Sequence, residues 1–350
     1  MQTLQKTNQI LIFILVLFIL LYFGSSFLVP LVFGVFFASL MTPFANILEQ
    51  IKIPRVLSSL ASTLIIFIAV GSILYLLMKQ IGIFVSDMSL VREDAQVFIE
   101  DIQNRITDAT GLTLERQSEI WETRSAGIIS WIEHGLTGFL GNIFNTLAGF
   151  LLALVYMFLL LHYRNKFLQF VMSYTASEKQ EETQQILVKI SRVVHHYLWG
   201  RAKVMALLGI MYYITFLIFD IPYAGFLTIF GALITIIPYL GPFLSGILPI
   251  IFGIIYLPDL PIILLFTFIV MTEQMIESYV FEPLVIGKEV KINPLFVIVA
   301  ILLGGMIWGL AGMILFVPVF AILKIISGHT PGLQPIGSLL GPSPRSSPKD

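Results

Sequence analysis

Two stretches of this chain stay uncharged for longer than one membrane-crossing helix can use. Asp220 to Asp259 encloses 38 residues without Asp, Glu, Lys or Arg, and Lys291 to Lys324 encloses 32. A spanning helix needs about 20 apolar residues for a hydrocarbon core of about 30 Å. Straight helices of these two lengths would measure about 57 and 48 Å, so each run must fold back or break. The first contains "TIIPYLGPFLSGILP" from Thr235 to Pro249, with Pro238, Pro242, Pro249, Gly241 and Gly246 in fifteen positions. Proline removes an amide donor and clashes with the preceding turn, and glycine lets the chain reverse. In lipid, irregular backbone survives only where protein or a water-filled cavity satisfies it. The segment therefore predicts two half-helices, about 223–237 and 242–256, meeting at Pro238-Tyr239-Leu240-Gly241 near the midplane. The second run carries Gly304-Gly305, Gly309, Gly312 and then Pro318, a matching break made with glycine.

The remaining charge-free runs count the ordinary spans. Lys6 to Glu49 encloses 42 uncharged residues divided by Gly24-Ser25-Ser26, which makes two helices. Arg55 to Lys79 encloses 23, Glu133 to Arg164 holds a further span, and Lys203 to Asp220 a short one of 16. Charged residues make up 12% of the chain, against about 25% in soluble domains, and 57% is hydrophobic. The fold class is thus all-α: a polytopic helical membrane protein with two broken or re-entrant hairpins. A formal net charge of −1 supplies no basic footprint for nucleic acid, and the absence of cysteine excludes disulfide and thiol chemistry.

Lys and Arg in the loops place both termini in the cytoplasm. The expected order is spans 1 to 3 over 1–80, an extracytoplasmic helical insertion over 81–135, a fourth span over 136–163, a cytoplasmic amphipathic helix over 164–203, a core with broken helices over 204–327, and a disordered tail over 328–350. In the insertion, Val91, Ala95, Phe98, Ile102 and Ile106 form a helical stripe that Gly111 ends, and Thr113 begins a second helix presenting Ile120, Trp121, Ile128 and Trp131. In the cytoplasmic segment Ser177 and Gln180 suggest a capping box, and Ile186, Ile190, Val193 and Tyr197 a stripe that rests on headgroups or on a neighbour. His195 and His196 point about 100° apart on a helix and cannot chelate as an i, i+4 pair does. No metal or cofactor is expected.

If both long runs are hairpins, the first dips from outside and the second from inside with one span between them. An eight-span alternative instead puts 281–293 outside, and Lys288 and Lys291 favour the inside. Between the runs, "TEQMIESYVFEPLVIGKEVKINP" sets Glu273 and Glu277 one helical turn apart on a shared face. A carboxylate inside a membrane is costly and points to an ion or proton pathway; the alternative for Glu277 is a helix end in the headgroups. Arg201 and Lys203 are their candidate partners.

The segments "IPYLGPFLSGILPIIFGI" and "EPLVIGKEVKINPLFVIVAILLGGMIWGLAGMILFVPVFAILKI", with the elements that precede them, resemble the autoinducer-2 exporter family. The Pro-Tyr-Leu-Gly-Pro turn and the series Pro283, Gly287, Pro294, Gly304, Gly305, Gly312, Pro318 carry that resemblance; Ser278-Tyr279 departs from the Asp-Asn or Gly-Asn pair common in members. The resemblance implies a homo-oligomeric transporter, with a pentamer as the candidate assembly, in the bacterial cytoplasmic membrane. Its partners would be the lipid bilayer and a small-molecule or ion substrate. The residues expected to bind substrate or to hinge are Pro238, Tyr239, Gly241, Pro242, Gly304, Gly305 and Gly309, with Glu273 and Glu277 coupling ions. A sodium/proton antiporter and a non-transporting scaffold are the alternatives. GxxxxGK[ST], HExxH and GxSxG are all missing from the chain, so neither its own ATPase nor another enzyme is expected.

Overall fold

The structure, a computed structural model, describes residues 2–110, 138, 141, 143–285 and 292–342. Its elements are α1 (Gln2–Phe23), α2 (Ser25–Gln50), α3 (Arg55–Ser86), α4 (Met88–Thr110), α5 (Ile143–Ser173), α6 (Gln180–Ile218), α7 (Ala224–Ile234), α8 (Leu240–Tyr256), α9 (Leu260–Ile276), a π-turn (Glu277–Phe281), α10 (Glu282–Val285), α11 (Pro294–His329) and α12 (Gln334–Leu340). No strand occurs among the described residues. Among the described residues six helical segments are long and apolar enough to cross a membrane, so the chain is a polytopic all-α membrane protein.

Lipid tails are as apolar as leucine, so helices in a bilayer associate by close van der Waals packing at small residues rather than by burial alone. The α2–α5 pair shows this: a Cβ on Gly34 would lie 2.7 Å from Tyr156 Cβ and 3.0 Å from the Ala153 carbonyl oxygen. Glu49 at the end of α2 accepts from Arg164 Nη2 of α5 at 2.7 Å and lies 3.5 Å from Arg55 Nη2 at the start of α3. The end of α2, the start of α3 and the body of α5 are thereby tied together on the side assigned to the cytoplasm.

Several expected boundaries move. Helix α3 continues to Ser86, and α4 follows after Asp87 alone, since no glycine or proline interrupts 83–110. Val91 of α4 is buried and Phe98 and Ile106 are half-buried, as the stripe predicts. The second helix expected from Thr113, with Ile120, Trp121, Ile128 and Trp131, lies outside the described residues, as does Gly287. The expected cytoplasmic helix is not separate: α6 runs 39 residues, joining the 186–197 stripe to the fifth span through the buried Gly200. Ile186, Ile190 and Val193 pack against Ile292, Ala321 and Ile325, so the neighbour they rest on is α11. Ser177 forms no capping box; it opens a 3-10 turn, and the Gln180 side chain donates to the Met172 carbonyl at 3.4 Å. Nor is the tail structureless from residue 328. Helix α11 extends to His329, and α12 folds back so that the Leu340 carbonyl accepts from the Asn293 amide at 2.9 Å. Pro335 in the first turn and the apolar Leu340, which is buried, are the local reasons for that helix.

Candidate transport site

Both long uncharged runs break. In the first, α7 ends at Ile234 and α8 begins at Leu240, so Thr235–Tyr239 is the interruption, with Tyr239 at φ 64°. The Gly241 amide donates to the Ile237 carbonyl at 2.8 Å, and a Cβ on Gly241 would sit 2.2 Å from the Ile234 carbonyl oxygen. Only glycine lets α8 start so close to the end of α7. Pro242 occupies the first turn of α8, where a missing amide costs nothing, and Pro238 sits in the turn itself. Pro249 is inside α8 and buried.

In the second run the helical dihedrals fail at Trp308 (φ −128°, ψ 15°) and Gly309 (φ 59°, ψ −141°). The chain reverses there. A Cβ on Gly312 would fall 1.9 Å from the Gly304 carbonyl oxygen, and one on Gly304 would fall 2.3 Å from that of Gly312. Residues eight apart in a straight helix stand about 12 Å apart along the axis, so 294–307 and 310–329 are the two arms of a hairpin touching backbone to backbone. Gly305 packs on Met313, which gives these glycines a packing role within the chain. Pro294 starts the first arm, with the Asn293 side chain accepting from the Leu295 amide at 3.1 Å; Pro318 is buried in the second arm.

The interruption of the first run is drawn to the second hairpin and to α6. Ile237, Tyr197, Ala300, Ile301, Ile307 and Phe316 belong to one buried cluster. One turn beyond Tyr197 on α6 stands Arg201, 3% exposed, with Nη2 2.9 Å from Glu282 Oε1 and Nη1 3.6 Å from Glu277 Oε1. Glu277 is therefore no headgroup residue: it is fully buried, and Ser278 donates to its Oε2 at 3.0 Å. Ser278 thus touches a buried carboxylate. The π-turn that presents both residues precedes Pro283, which has no amide to return to the helix ladder. Lys203 is exposed and takes no part.

Glu273 sits a turn earlier on α9, 5% exposed, and its Oε1 accepts from Thr215 Oγ1 at 2.6 Å. Its Oε2 has no hydrogen-bond donor, nor does Glu277 Oε1 or Gln274 Oε1. Two carboxylates, Glu277 and Glu282, share the Arg201 guanidinium, and Glu273 lies one turn before them on α9. Among the described residues no cluster of His, Cys, Asp and Glu could hold a metal ion. His195 Nδ1 instead lies 3.2 Å from the Leu40 carbonyl and His196 Nδ1 2.9 Å from that of Arg192.

A neutral polar knot adjoins the carboxylates. Tyr212 of α6 is fully buried; its hydroxyl donates to the Ser245 carbonyl at 3.1 Å and accepts from Ser245 Oγ at 3.2 Å and from Gln274 Nε2. Gln274 Nε2 also donates to Ser245 Oγ at 3.1 Å. The knot ties α6 and α9 to α8, and with it the first hairpin. Periodicity did not single these residues out; the available signal was a tyrosine, a serine and a glutamine inside otherwise apolar stretches. Tyr212→Phe is expected to lower stability by about 1–2 kcal/mol, measured by denaturant titration in detergent, because it strips partners from Ser245 and Gln274 together.

Comparison with known proteins finds transport proteins matched over most of their length. The chain is 28% identical over 348 residues to YueF of Bacillus subtilis, covering 91% of this chain and 90% of that one. It is 25% identical over 316 residues to YrrI of the same organism, covering 87% of each; both are named as transport proteins. The AI-2 transport protein TqsA of Escherichia coli is 22% identical over 323 residues, covering 91% of this chain and 90% of its own. The model of the AI-2E family of transporters matches residues 11–332, and the chain belongs to that family: it is a multi-pass membrane transporter.

Proposed function

We propose that the chain is a secondary transporter that exports a small polar molecule, of the autoinducer-2 kind, across the bacterial cytoplasmic membrane. The two interruptions, Pro238-Tyr239-Leu240-Gly241-Pro242 and Gly304 to Gly309, line its route, and Glu273 is the coupling carboxylate. One observation carries the coupling role: Glu273 is buried with an oxygen that has no donor, beside a second buried carboxylate that already engages Arg201. A buried carboxylate without a compensating charge binds a proton or a cation. Glu277, between Arg201 and Ser278, is the fixed charge of the pair, while Glu273 is free to load and unload. The first hairpin enters from outside and the second from inside. Assembly as a homo-oligomer, with a pentamer as the candidate, rests on the family alone.

Proteoliposomes holding the purified chain test this reading under imposed sodium and proton gradients. Glu273→Gln is expected to reduce gradient-driven solute flux by at least about tenfold, while leaving flux down the solute's own gradient in place. Gradient-driven flux equal to that of the parent would remove Glu273 from the mechanism. The excess of carboxylates over cations also favours a second reading, sodium/proton antiport, in which the same vesicles exchange the two cations with no organic solute present.

A further inference from the structure

Among the described residues the tip of the second hairpin has one hydrogen-bonded tether to another helix. Beyond the Gly304–Gly312 contact the chain turns through 305–311, where Met306 and Leu310 are 70% and 63% exposed and a Cβ on Gly309 would meet nothing within 4 Å. Trp308 turns the other way. Its ring stands edge-on to Phe316 of the second arm, with centroids 5.3 Å apart, and its indole Nε1 donates to the Leu21 carbonyl oxygen at 2.8 Å. Leu21 belongs to the last turn of α1, whose carbonyls lack the amide one turn ahead that interior carbonyls use, and an unpaired carbonyl is costly in apolar surroundings. Gly24 closes the last turn of α1 on which Leu21 sits: its amide donates to the Leu20 carbonyl at 2.9 Å, and a Cβ there would come within 2.5 Å of that Leu20 oxygen, so a side chain at position 24 displaces the whole turn. Helix α1 packs on α2 and α11 and otherwise leaves a largely exposed apolar surface from Leu11 to Phe23.

We infer that Trp308 is the positioning residue of this tip: its indole, docked on the C-terminal end of α1, holds the second hairpin in its closed arrangement and undocks when the transporter opens. Helix α1 is then the seat of the gate, a role distinct from that of a simple anchor. Interruption, exposure and tether coincide on one short loop. The tip past Gly304–Gly312 has room to move at Gly309, and the bond that restrains it is made to a helix outside the hairpin. The inference depends on membership of the transporter family and on no role for Glu273.

Since the chain has no cysteine, Leu310→Cys reports the tip through its rate of labelling by N-ethylmaleimide in proteoliposomes. Leu284→Cys, 77% exposed and away from the tip, is the control. W308F keeps a ring against Phe316 and deletes the donor, whereas Gly24→Ala keeps Trp308 and displaces the acceptor. Each is expected to raise the Leu310→Cys labelling rate about fivefold, the effect of losing one hydrogen bond, with the Leu284→Cys rate unchanged. Because both act on one bond, the double variant is expected to label no faster than the faster single. An unchanged rate in W308F, an equal rise at Leu284→Cys, or single effects that multiply in the double would overturn the inference. If W308F does not elute as a monodisperse protein, Gly24→Ala decides alone: a rate equal to the parent's overturns it.

Discussion

Arg201→Met is expected to lower the unfolding free energy by about 3–5 kcal/mol and to stop transport. The guanidinium is 3% exposed and lies 2.9 Å from Glu282 and 3.6 Å from Glu277, whose own side chain is 1% exposed. Removing the cation strands at least one buried carboxylate, which costs far more than the attraction it ends. Glu282, at 39% exposure, can turn to water; Glu277 cannot. The double variant Arg201→Met with Glu277→Gln is therefore expected to recover most of the lost stability, and Arg201→Met with Glu282→Gln little of it. Denaturant titration of the purified chains in detergent separates the two. Equal recovery by both doubles would show that Glu277 and Glu282 share the cation alike, against the burial difference. Transport is expected to stay low in every one of these variants, because Arg201 lies one turn from Tyr197, where the first interruption and the second hairpin come together.

Gly312→Leu is the second large effect. Its Cβ alone would fall 1.9 Å from the Gly304 carbonyl oxygen and 2.5 Å from the carbonyl carbon, both backbone atoms that no rotamer change can move. The arms must separate, taking Phe316 off Trp308 and opening the cluster that Ala300, Ile301 and Ile237 share. A loss of about 3 kcal/mol, the upper part of the overpacking range, and undetectable flux are expected. The neighbouring glycines rank below it for stated reasons. Gly309→Ala meets no atom but forces alanine to φ 59° and ψ −141°, a strain of about 1–3 kcal/mol. Gly305→Ala presses on the terminal methyl of Met313, which can swing aside, and is expected to be nearly silent. A series in which Gly305→Ala costs more than Gly312→Leu would mean that the arms are not in backbone contact.

The interruptions were legible in the chain because length and residue type agreed. A run of 38 uncharged residues cannot be one span, and Pro238, Gly241 and Pro242 marked the turn to within a few residues of Thr235–Tyr239. The second break was legible as a region and not as a point. Four glycines were candidates, and backbone geometry assigns the bend to Trp308-Gly309 while giving Gly304 and Gly312 to the contact between arms. Glu273 and Glu277 were found because a carboxylate in an apolar stretch is conspicuous. Their ranking was not: the sequence offers a headgroup position for Glu277, whereas the π-turn before Pro283 carries it inward to Arg201. The Tyr212–Ser245–Gln274 knot escaped notice because each residue is unremarkable by itself and the three come from separate helices. The tail helix escaped for a related reason: Pro, Gly and Ser make 328–342 look structureless until α11 supplies a surface for Leu340.

The sequence by itself determined the solvent and the parts: which segments enter lipid, where they cannot be straight, and that carboxylates accompany them. Apolar run length, missing amides and the cost of buried charge are local properties, so a single chain displays them. The tertiary structure alone decided which partner each polar group takes and which glycine is a hinge as opposed to a contact. Those outcomes depend on distances between helices far apart in the chain, such as Arg201 to Glu282 or Trp308 to Leu21, and in a bilayer close packing and hydrogen bonding set those distances in place of a hydrophobic pattern that periodicity would reveal.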